Sequence, residues 1–275
     1  MASKSLWRKS PTAMPAPNLY GYYALWDKTV EQKHSDFGEE AISKTMEIAL
    51  SSQLEQAEAL NVQIEADPFD LMGGELKAAD IDGRGLVVQD SLRTEQLQLK
   101  TNGIAIDPGK AAFGEIKLTR PTQATTVITL TAADIEQAFN SDFVRQKIAA
   151  VAVELNGQTT HISAKQIEFE LPGNQKMAFR ADVAIAETQE PQQIEFKAVP
   201  KIGPQGNQII LTDVQVTSQN SFQELTDRLL EAASELLDLR NFALEGMEMQ
   251  LQQIDVRKGV MVLYAAARIT QFPNG

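Results

Sequence analysis

Along most of the chain apolar residues recur at every second position, and in three windows the interval lengthens to three or four. The first window is FGEEAISKTMEIALSSQLEQAEAL, where Ile42, Met46, Ala49, Leu50, Leu54 and Ala57 share one face. Glu39 and Glu40 stand in its first turn, where the helix dipole favours negative charge. This spacing predicts a helix over about residues 37–60. The second window begins at Thr131, with Asp134 three residues on as a capping partner, and carries Ile135, Ala138, Phe139 and Phe143. The third begins at Ser221 with Glu224 in the equivalent place, and carries Phe222, Leu225, Leu229, Ala233, Leu236 and Leu237. Each helix is amphipathic enough to lie on a sheet.

Elsewhere the alternation predicts half-buried strands. LNVQIEA, GLVVQD, EQLQLKTNGIAID, GEIKLTR and ATTVITL form one run, with DGRG, TNG and DPG as turns. VAVEL, HISAKQIEFEL, MAFRADVAIA, QIEFKAV, QIILTDVQV, MEMQLQQIDV and VMVLYAAARIT follow, for about a dozen strands in all. Strands at 80–130 end in the helix after Thr131 and strands at 151–217 in the helix after Ser221, so residues 38–272 read as one elongated domain of two similar halves, about 62–150 and 151–272. A large sheet facing few helices must curve to cover them. The expected fold class is therefore α+β, a long, highly curved antiparallel sheet wrapping amphipathic helices. Its interior would be walled by Ile128, Leu130, Phe169, Phe179 and Phe196 from strands and by Phe139, Phe143, Leu225 and Leu229 from helices.

Residues 1–37 break the pattern. They hold Pro11, Pro15 and Pro17, both tryptophans (Trp7 and Trp26) and three of the four tyrosines (Tyr20, Tyr22 and Tyr23). Rings that are apolar at one end and polar at the other favour membrane interfaces and protein contacts, so this leader reads as a docking arm. Lys4, Arg8 and Lys9 would add local attraction to anionic headgroups. The cationic start lacks the apolar stretch that a signal peptide requires, which predicts a chain not exported by that route and placed in the cytoplasm, with peripheral membrane contact left open. No window approaches a continuous apolar span of membrane length.

Charge and composition then remove most chemistry. Among 275 residues, 37 acids against 25 bases give a net charge of -12, which does not favour nucleic acid as a partner. The absence of cysteine excludes disulfides, thiolate nucleophiles and cysteine-ligated metals. Two histidines, His34 and His161, are too few for a zinc site and lack the flanking residues of a catalytic triad. Asp80 and Asp82 lack the spacing and terminal glutamate of a calcium loop, and fit a turn with local hydrogen bonds. No phosphate-cradling glycine loop and no nucleophile elbow occur. The expectation is a protein that is not an enzyme and needs no metal or cofactor.

One stretch carries a resemblance. Asp67, Pro68, Phe69, Leu71 and Gly74 form a "DPF.L..G" entry; Gly83 to Leu86 read GRGL; Gly114, Ile116, Leu118, Arg120 and Pro121 read "G.I.L.RP"; and Leu130 to Ile135 read "LT..DI". With these motifs the chain resembles the LmeA-type phospholipid-binding family, most clearly over residues 62–140. That family is similar to tubular lipid-binding proteins, in which a curved sheet wraps a long helix around an apolar groove. The resemblance implies phospholipid or a related amphipath as partner, bound without catalysis. It also makes Arg84 and Arg120 candidates for bidentate contact with a lipid phosphate. The alternative is an interaction protein with a packed core, whose aromatic leader docks a protein partner.

Overall fold

The computed structural model describes residues 37–88, 92–113, 115–149, 152–155, 158–185, 191–217, 227, 230, 234, 238 and 246–271. In chain order these form α1 (Phe37–Ser51), β1 (Ala59–Glu65), α2 (Pro68–Met72), β2 (Glu75–Val88), β3 (Leu92–Ala105) and α3 (Pro108–Ala111). Next come β4 (Thr122–Thr131), α4 (Ala132–Phe139), α5 (Asp142–Ala149), β5 (Ala152–Leu155), β6 (Gln158–Gly173) and β7 (Lys176–Ile185). The series ends with β8 (Pro191–Ile202), β9 (Ile209–Val216), β10 (Met247–Arg257) and β11 (Val260–Ile269).

The strands make two antiparallel sheets, one in the order β1-β2-β3-β4-β11-β10 and one in the order β5-β6-β7-β8-β9. The last hairpin thus returns to the first sheet, with Ala265 of β11 beside Thr126 of β4. Sheet with few helices is the predicted α+β class.

The period-two pattern sorts the first sheet cleanly into faces. Val62, Ile81, Leu99, Thr126, Ala265 and Leu251 are successive cross-strand partners, so their side chains stand in one row across six strands. All six are buried. On β2 and β3 the opposite face is polar at its middle: Asp82 accepts hydrogen bonds from Gln96 Nε2 and Gln98 Nε2, both at 3.0 Å, and Asp80 pairs with Lys100 at 3.1 Å. Asp80 and Asp82 are therefore mid-strand residues, not turn residues.

Two cores cover the apolar face. One lies under α1 and contains Met46, Val62, Ile64, Ile81, Leu99 and Ile104. The other joins the two sheets and gathers Leu130, Phe139, Phe169, Phe179, Leu251 and Leu263. Leu97 and Met249 pack against both.

Several elements differ from expectation for identifiable reasons. The first helix stops at Ser51 although its apolar spacing continues. Beyond it Glu55 N donates to Val87 O, Glu58 N to Arg84 O and Val87 N to Gln56 O, so pairing with β2 outcompetes another helical turn. DGRG and TNG are not turns, because β2 and β3 run straight through them. Glycine serves there as the residue that takes a positive φ inside a strand, +54° at Gly85. GEIKLTR contributes only an isolated bridge between Ile106 and Leu118.

The capping box after Thr131 forms as its spacing demands: Asp134 N donates to Thr131 Oγ1 at 3.1 Å and Thr131 N to Asp134 Oδ2 at 3.0 Å. The helix nevertheless breaks after Phe139, and Phe143 belongs to α5. At the break, Asn140 turns its amide to β6, donating to Ile167 O at 2.6 Å and accepting from Ile167 N at 3.1 Å. Glu136 accepts from Phe169 N at 2.9 Å. The helix thereby satisfies part of an open strand edge. Of the helix expected after Ser221, Asp227, Leu230 and Ser234 are described and are helical.

Candidate functional site

The buried face of the first sheet, where it meets the second, is a large apolar surface enclosed by several elements. Alternation along β4 points Ala124, Thr126, Ile128 and Leu130 to it, and β11 answers with Met261, Leu263, Ala265 and Ala267. The second sheet contributes Ile167, Phe169, Phe179, Val183, Ile194 and Phe196.

Among the predicted wall residues, Ile128, Leu130, Phe139, Phe169, Phe179 and Phe196 meet in this single core, each buried. The four rings form one connected cluster. Phe179 is the hub, with its centroid 4.9 Å from Phe139 and 4.8 Å from Phe169 in edge-on geometry, and 5.1 Å from Phe196 in a stack. Phe143 lies on α5, while Leu225 and Leu229 lie outside the described residues.

One polar atom breaks the apolar character. Thr126 is 1% exposed and its Oγ1 has no hydrogen-bond partner, the one such buried side-chain atom among the described residues. A hydroxyl buried without a partner costs about 1–3 kcal/mol. Its neighbours in the row are Leu99 and Ala265, so it faces the interior where the two cores meet.

The cationic candidates are far apart. Arg84 is 68% exposed and 3.8 Å from Asp82, whereas Arg120 reaches Glu75 at 2.8 Å and is 58% exposed. Residues 75 and 84 lie on the same strand, nine residues apart, a separation of about 30 Å. The two arginines are not brought together at one site.

Sequence reasoning passed over a stronger cationic centre, Arg93. Its guanidinium binds Glu58 at 2.7 Å, Glu95 at 2.8 Å and Asp134 at 2.8 Å. These carboxylates, Glu58 foremost, raise the arginine above its ordinary pKa. Asp134 is buried and is also the α4 capping residue, so the contact ties β3 and the segment before β1 to the start of α4. Three carboxylates more than balance the one positive charge of this guanidinium, which makes it a poor attractor for a lipid phosphate.

The aromatic leader residues Trp7, Tyr20, Tyr22, Tyr23 and Trp26 lie outside the described residues. Among those described, no helix is long and apolar enough to cross a membrane, and no group of three or more acids and histidines could hold a metal. A family model described as LmeA-like phospholipid-binding matches residues 34–266. No curated protein matches the chain.

Proposed function

The chain belongs to the LmeA-like phospholipid-binding family, and from that premise we propose that it holds a phospholipid, without catalysis, against the buried face of its first sheet. The observation that carries this reading is the continuous apolar row of that face, interrupted by the single unpartnered hydroxyl of Thr126. Acyl chains would displace side-chain contacts between the two cores, each buried methylene contributing roughly 0.8 kcal/mol before the costs of binding. A glycerol ester carbonyl would supply the acceptor that Thr126 lacks. Affinity would then follow chain length, and headgroup selection would be loose.

Native mass spectrometry of the purified chain, followed by extraction of its cargo, tests the proposal. The expected result is a stoichiometric phospholipid, retained less well by Thr126→Val. A clean apo mass that stays unchanged after incubation with phospholipid vesicles would sink it.

A second reading is favoured by the phenylalanine cluster. Four rings linked through Phe179 fill their part of the interior. In that reading the core is packed solid and the protein acts by docking a protein partner. The clean apo mass is the outcome it requires.

A further inference from the structure

Large apolar side chains exposed to solvent are few among the described residues: Ile48, Phe69, Met72 and Phe113. Ile48 stands alone on α1, but the other three share one end of the first sheet. Phe69 and Met72 sit on α2, immediately before β2, and Phe113 follows α3, immediately after β3. Glu75 at the start of β2 pairs with Ala105 at the end of β3, so both helical turns leave the sheet at the same edge.

Their bases are locked together. Ile106 N donates to Gly74 O at 2.8 Å, and a side chain added at Gly74 would collide with Ile106 O and Pro108 Cδ. Asp107 N donates to Lys117 O, closing the loop that carries Phe113. Each turn is capped in the same way, by an aspartate followed by proline: Asp67 accepts from Phe69 N and Asp107 from Lys110 N. Leu71 and Ala111 turn inward against the core while Phe69, Met72 and Phe113 are 86%, 81% and 92% exposed. Rigid loops that hold large apolar groups in water call for a partner.

Two cations beside them bear on the partner. Residues 67–77 and 107–120 carry Lys77, Lys110, Lys117 and Arg120 against Asp67, Asp70, Glu75, Asp107 and Glu115, one acid in excess. Lys117 is exposed and has no ion pair among the described residues, and Lys77 approaches Asp67 only to 4.0 Å. Lys110 is held by Glu115 and Arg120 by Glu75 at 2.8 Å, so the end of the sheet is apolar at its tip with Lys77 and Lys117 beside it as the cations that can meet phosphates.

We propose that Phe69, Met72 and Phe113 form a tip that inserts into the headgroup layer of a phospholipid bilayer, with Lys77 and Lys117 against the phosphates. This rests on the lipid-binding reading, for a protein that takes a phospholipid must meet the surface that holds it. The insertion is shallow and reversible, as three side chains bury far less than an amphipathic helix.

Flotation of the full chain with vesicles of equimolar phosphatidylcholine and phosphatidylglycerol tests it, with the triple variant F69S/M72S/F113S beside the wild type. The expected result is a fall of about 100-fold in vesicle partitioning, with unchanged thermal unfolding and the same lipid mass by native mass spectrometry. Equal flotation of the two proteins overturns the tip. So does a wild-type chain that stays off the vesicles, or a wild-type dimer that the variant dissolves, since the patch would then serve a second copy. Lipid-free chains that still float through the tip would instead sink the interior site and leave the tip standing. Should the triple variant fail to fold, Phe113→Trp decides the matter: brominated phospholipid is expected to quench its emission beyond that of the wild type, and equal quenching overturns the proposal.

Discussion

Arg93 shows how much one side chain can hold. Its three carboxylate partners come from β3, from the segment before β1 and from α4, and the most buried of them, Asp134, has its other oxygen committed to the α4 cap. Arg93→Leu is expected to cost about 3 kcal/mol in urea unfolding, because the buried Asp134 would lose its cationic partner. Arg84→Leu, which removes one exposed and distant ion pair, is expected to change stability by less than about 0.5 kcal/mol. Similar losses in the two variants would show that the Arg93 contact is not structural. Because the folded protein raises the arginine's pKa, its contribution is complete below the ordinary arginine value and is lost only as pH rises through the raised one. The guanidinium side of the tie therefore does not titrate at any moderate pH. Little of this was legible beforehand, since a tie among residues 58, 93, 95 and 134 has no local spacing to betray it. The Thr131 and Asp134 cap was legible because its parts lie three residues apart.

At the scale of elements, local periodicity located nearly every strand and misjudged where chains turn. The glycines in DGRG and TNG carry turn chemistry by composition, yet the positive φ of Gly85 and Gly103 falls inside β2 and β3. The break between α4 and α5 was likewise hidden, for it depends on what Asn140 meets across the fold. Asn140→Ala would strip both a donor and an acceptor from Ile167 of β6 and is expected to cost about 1–3 kcal/mol. Asn140→Asp keeps the acceptor and should fall between that variant and the wild type. Equal stability of all three chains in urea would show that the edge of β6 gains nothing from α4. The motif around Phe69 was recognisable as a fold signature, but its exposure was not, because alternation and composition alike assign a phenylalanine to the core.

Across the whole described chain, the two sheets share a core but only part of a boundary. On one side the turns of the second sheet bond to the last hairpin of the first: Leu251 N donates to Gly206 O, Gly259 N to Leu171 O and Gln175 N to Val256 O. The wall residues Ile128, Leu130, Phe139, Phe169, Phe179 and Phe196 were foreseeable from their alternation, whereas their gathering in one aromatic core required the long-range pairing of β11 with β4. On the other side the open edge of β6 is bonded by side chains at the end of α4, Asn140 and Glu136. That difference has a kinetic signature. The amides of Ile167 and Phe169 are held by side chains, which let go by a rotamer change, whereas the amides of β7 sit between two strands and are released only when a ladder parts. In deuterated water Ile167 and Phe169 should exchange well ahead of β7, with no loss of protection elsewhere in the second sheet. Exchange at one common rate would mean that this border, too, yields only when the sheet itself comes apart.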